Sequence, residues 1–113
     1  MTPMLNSTGK TVAFLTDRGR FISLSGASIA WLSNGRVYDY SGHHLGWWEN
    51  GHMRGLDGGV QVWQKGATNL GVIPPIPEIP PMPPIASIEQ IRPIPEIPPI
   101  RPVNKMGWST QSF

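Results

Sequence analysis

Between Gly9 and Trp63 one motif recurs: a glycine, two variable residues, an aliphatic residue, a small residue and an aromatic residue, then a turn. The aromatic positions are Phe14, Trp31, Trp47 and Trp63, spaced 17, 16 and 16 residues apart, and the unit that ends in Trp63 is degenerate. Asn34-Gly35 and Asn50-Gly51 sit between alternating apolar runs, which is the signal for a hairpin with a two-residue type I′ turn. In the first unit Thr16-Asp17-Arg18-Gly19 takes that place. Ser41-Gly42 and Asp57-Gly58 punctuate the chain again about eight residues later, so short strands alternate with tight turns. The pattern predicts an all-β antiparallel meander of four pseudo-repeated hairpin units, with strands at 11–15, 20–24, 28–33, 36–40, 44–49, 52–56 and 60–64.

Alternation along a strand puts Ile29 with Trp31, Val12 with Phe14 and Leu45 with Trp47 on one face, and Ala13, Ala30 and Gly46 on the other. The small residues imply close approach of the units around a common axis. Seven strands leave the one near Trp63 without a hairpin partner. The segment Met4 to Gly9 matches the second half of a unit and is expected to supply an eighth strand, so that the two ends of the domain close it.

From Ile73 the period changes to three. Ile73, Ile76, Ile79, Met82, Ile85, Ile88, Ile91, Ile94, Ile97, Ile100 and Val103 form an unbroken triplet register, with proline at most of the positions between. Proline excludes a helix or central strand and favours polyproline II, where three residues per turn align all eleven on one face. The expectation is a packing stripe, laid against the meander's aromatic grooves or another subunit; the alternative is a flexible spacer. The chain thus divides into a β domain at 1–71, a triplet segment at 72–103 and a terminal peptide at 104–113, in which Trp108 and Phe113 are candidate anchors.

Composition sharpens that division. Twelve of 13 prolines lie between Pro74 and Pro102, and twelve of 13 glycines precede Val72. The net charge of +2 is scattered and predicts no nucleic-acid partner. Without cysteine there is no thiolate site, and with neither a signal-peptide pattern nor an apolar run of about 18 residues the expectation is a cytoplasmic protein without a membrane partner. His43, His44 and His52 with Asp57 are the one metal-ligand group to consider, but adjacent strand residues face opposite ways and no metal or other cofactor is expected. No nucleophile elbow or phosphate loop occurs, which points away from an enzyme.

The stretch from Tyr38 to Gly51, followed by Asp57-Gly58, resembles the small bacterial four-fold β-flower domain. Leu5-Asn6, Gly9 and Val12-Ala13-Phe14 fit the same pattern, as do the proline triplets ending in Gly107-Trp108-Ser109. The resemblance implies a small all-β fold of four-fold character and no transferable activity. Arg54-Gly55-Leu56-Asp57-Gly58 and Gln61 depart from it.

Two functional readings follow. One is a non-enzymatic structural or interaction module that forms a homo-oligomer through the β domain or the Ile stripe, or binds another protein through the Pro-rich tail. The other is a ligand-binding module whose aromatic pocket near Trp47 and Trp48 holds a peptide or glycan, with the tail as spacer. Trp48 and Trp108 are the candidate interaction residues.

Overall fold

The computed structural model describes all of residues 1–113. Eight strands follow one another in an antiparallel meander: β1 Thr2–Leu5, β2 Thr11–Leu15, β3 Arg20–Ile22, β4 Ser28–Ser33, β5 Arg36–Asp39, β6 His44–Glu49, β7 His52–Gly55 and β8 Val60–Trp63. They close into a barrel, β8 returning to β1, and there is no helix. The eighth strand comes from the N-terminus and spans Thr2–Leu5, not Met4 to Gly9. Asn6 ends it because its side-chain oxygen accepts from the backbone N–H groups of Thr8 and Lys10, turning the chain. β1 and β8 share a single residue pair, Leu5 with Trp63, so this seam is the weakest in the barrel. The Trp63 indole reinforces it by donating to the Asn6 carbonyl at 2.9 Å.

Asn34 and Gly35 have φ of 52° and 73°, and Asn50 and Gly51 have 50° and 81°, the positive pair that a type I′ turn requires. β3, β5, β7 and β8 end one or two residues before their predicted limits. In β3 and β5 the reason is side-chain turn bonding. The Ser23 hydroxyl accepts from the Ala27 N–H, and the Asp39 carboxylate accepts from those of Ser41 and His43.

The expected sharing of faces fails at one position in each unit. The register shifts once per unit, so that Val12, Ile29, Leu45 and Gln61 face no partner and form four equivalent β-bulges. Val12, Ile29 and Leu45 therefore leave the face of Phe14, Trp31 and Trp47 and pack against the interior. In that interior the side chains of the odd-numbered strands are on the whole larger than those of the even-numbered ones. Met4, Phe21, Val37 and Met53 come from the odd-numbered strands, and Ala13, Ala30 and Val62 from the even-numbered ones. Gly46 completes the small set, since a Cβ there would lie 3.0 Å from the Met53 Cε. Phe14, Trp31, Trp47 and Trp63 are buried on the opposite side of these strands, outside the barrel.

Beyond Trp63 no further strand or helix forms, apart from one parallel bridge between Trp108 and Val60. The tail nonetheless follows a fixed course around the barrel. The backbone N–H groups of Glu78, Ser87, Glu96 and Lys105 donate to the carbonyls of Gly9, Gly26, Gly42 and Gly58 at 2.9–3.0 Å. These glycines mark the four turns at one end of the barrel, so the tail visits the units in order. The stripe from Ile73 to Val103 does not pack as expected: its eleven side chains are 90–98% exposed. The contacts come from the positions between, including the half-buried Pro75, Pro84, Pro93 and Pro102. No helix is long and apolar enough to cross a membrane.

Candidate functional site: the tail on the rim

The tail carries a second period, of nine residues, that matches the four turns one for one. Pro75, Pro84, Pro93 and Pro102 open the units, and Glu78, Ser87, Glu96 and Lys105 stand three residues later as the backbone donors. Close approach requires glycine on the barrel side. A Cβ on Gly9, Gly42 or Gly58 would lie 2.6–2.8 Å from a tail carbonyl oxygen, and one on Gly26 would strike that of Ile85. All four have positive φ, which penalises side chains independently.

Side chains then distinguish the notches. Glu78 accepts from the Thr11 N–H at 2.9 Å, and Glu96 from the His44 N–H at 2.5 Å. At the second notch Arg20 donates to the Ser87 hydroxyl at 2.9 Å. Nearby, the Tyr40 hydroxyl and Arg92 both donate to Glu89. Burial and the acceptor Glu89 push the Tyr40 hydroxyl up to about 12. Burial acts to raise the Glu89 carboxyl, but its bonds from Arg92 and Tyr40 hold it below the ordinary value. The Arg92 guanidinium covers the Trp31 ring at 5.6 Å, and Arg101 covers Trp47 at 5.7 Å while pairing with Glu49.

At the fourth unit both ends of the tail meet. The buried Arg54 guanidinium donates to the carbonyls of Gly58, Lys105, Asn69 and Leu70 at 2.9–3.1 Å, joining the tail's start and finish. Asp57 accepts from the backbone N–H of Gly59 and Thr110 and from the Ser109 hydroxyl at 2.9–3.0 Å. Partial burial acts to raise the Asp57 carboxyl, yet these bonds hold it at about 2. Gly55 and Gly59 clear the path: a Cβ on the first would meet the Gln111 and Ser109 side chains, and one on the second would lie 2.6 Å from the Ser109 nitrogen. The departures at residues 54–58 thus mark where residues 105–111 dock.

The remaining predicted residues separate. Trp48 is not an exposed platform but packs edge-on against Phe21, with ring centroids 5.8 Å apart, and Arg101 occludes Trp47. Trp108 joins Leu5, Val60, Trp63 and Leu70 beside the seam. His43 is exposed and faces Asp39 at 3.5 Å, while His44 and His52 are buried and desolvation pushes both below the ordinary imidazole value. They do not gather with Asp57 into a metal-holding group. Sequence reasoning missed Arg54 as a clamp and the nine-residue tail period; the even spacing of Glu78, Ser87, Glu96 and Lys105 was the available signal.

The chain belongs to the 4-fold beta flower protein family, whose model matches residues 2–113. Neither a curated protein nor a solved structure matches it.

Proposed function

We propose that this β-flower chain is a non-enzymatic interaction module that self-associates through the aliphatic stripe of its tail, with the barrel as the scaffold that presents it. The observation that carries this reading is the exposure of all eleven stripe residues at 90–98%, on a segment that is itself tied to the barrel at four points. Contiguous apolar surface of this kind marks contact sites on proteins. Burying one such side chain contributes about 1.5–3 kcal/mol, so a few suffice for association.

The presenting backbone is a polyproline II helix on this reading. The 27 residue-to-residue steps from Ile76 to Val103 cross three of the four inter-unit intervals. At about 3.1 Å per residue they extend roughly 84 Å. Three quarters of a circle as wide as the 36 Å molecule has about the same length.

Light scattering on the full chain and on Ile85→Ser/Ile88→Ser/Ile91→Ser tests the proposal. The parent is expected to gain mass with concentration and the variant to stay nearer the monomer; at dilutions where both are monomeric the two should melt alike, because the replaced side chains are solvent-facing there. Equal masses for the two proteins across the concentration range would overturn it.

A further inference from the structure

The four bulge residues converge on one side chain. Val12 and Gln61 line a cleft of about 270 Å³ beside Phe113, and Ile29, Leu45 and Gln61 line a second of about 250 Å³ that Phe113 also bounds. The Phe113 ring meets Phe21 of the barrel interior edge-on, with centroids 5.2 Å apart. It therefore stands among all four units, over the interior, as a plug. Packing alone holds it: Thr110 and Gln111 hydrogen bond to the barrel at Asp57 and Leu56, but Phe113 makes no such bond. Between the clefts the Gln61 Oε1 is buried without a hydrogen-bond partner. Buried acceptors are ordinarily satisfied, and this one belongs to a residue that lines both clefts beside the ring, its oxygen lying next to Gly55.

We infer that this end of the barrel is a binding site for an aromatic side chain of a partner peptide, occupied in the isolated chain by its own Phe113. The cup supplies an apolar, edge-to-face environment for the ring, and Gln61 supplies an acceptor for a peptide N–H beside it. The fourth unit carries Gln61 where the others carry Val12, Ile29 and Leu45, so the cup has three apolar walls and one polar one. That asymmetry suits a peptide, whose ring is apolar and whose backbone is not. A tethered ring competes at high effective concentration, so a partner must displace it. This inference is independent of the stripe, which lies on the outer surface of the tail.

N-acetyl-phenylalanine methylamide, titrated into isotope-labelled full-length protein, tests the site by NMR. In Phe113→Ala the probe is expected to bind saturably, shifting the Gln61 side-chain amide and the methyl groups of Val12, Ile29 and Leu45. The parent should bind it at least tenfold more weakly. Phe113→Trp keeps a plug and should behave like the parent, which separates loss of the plug from loss of structure. Equal affinity in all three proteins, shifts confined to other residues, or no binding to a Phe113→Ala protein with otherwise native spectra would each overturn the inference.

Discussion

The Arg54 guanidinium donates to the Lys105 carbonyl at 3.0 Å, linking β7 to a residue 51 positions later in the tail. The same side chain holds Asn69 and Leu70, so one buried cation ties both ends of the belt to the barrel beside its weak seam. Its four Nη hydrogen bonds all go to carbonyl oxygens, whose partial charges offset part of the guanidinium's desolvation, while its Nε is buried without a partner.

Arg54→Met keeps most of the volume and removes every donor. The buried carbonyls lose charged partners, and the expected cost is about 2–4 kcal/mol. A denaturant midpoint within error of the parent would show that the clamp adds no stability.

Asp57 carries a pH dependence of stability. Its carboxyl sits at about 2 in the folded chain against an ordinary 3.8, so the stabilisation is present above about 4 and is lost as pH falls toward 2. After allowance for solvent screening it amounts to about 1 kcal/mol. Thermal melts of the parent between pH 5 and 2 should fall more steeply than those of Asp57→Asn, and parallel curves would refute the assignment.

Gly42 and Gly66 have φ of 88° and 89°, but only Gly42 faces the tail: a Cβ there would lie 2.8 Å from the Ile94 oxygen, while one on Gly66 meets nothing within 4 Å. Alanine at either position carries the same backbone strain, so the difference isolates the notch. Gly42→Ala should lose at least about 1 kcal/mol more than Gly66→Ala. Its Glu96 amide should exchange faster, and unchanged exchange there would mean that the tail is not held through this notch.

Trp31 is 5% exposed, stacks on Tyr38 with centroids 4.9 Å apart, and donates its indole N–H to the Asp39 carbonyl. Trp31→Ala should cost about 3–5 kcal/mol, comparable to the stability of a small domain. A cooperative melt within a few degrees of the parent would contradict its place beneath the tail.

Four hairpins, their turns and closure by the N-terminal segment were legible in the sequence because each rests on local chemistry. Asn-Gly accepts positive φ, and the 16–17-residue aromatic spacing counts strands. The triplet register likewise showed that eleven aliphatic residues share one face. Which way that face points was a tertiary decision: three residues per turn generate three stripes, and nothing local says which one meets the barrel. The glycine turns admit a close-approaching backbone, and Pro75, Pro93 and Pro102 lie against those turns, so the apolar stripe is left outside. The bulges at Val12, Ile29, Leu45 and Gln61 were hidden for a similar reason. A period of two describes a regular strand, whereas the bulge is set by pairing with another strand. Arg54, Gly55 and Asp57 read in sequence only as a departure from the family pattern. Only in the closed barrel, where residues 105–111 return to the fourth unit, does the departure become the place that receives them.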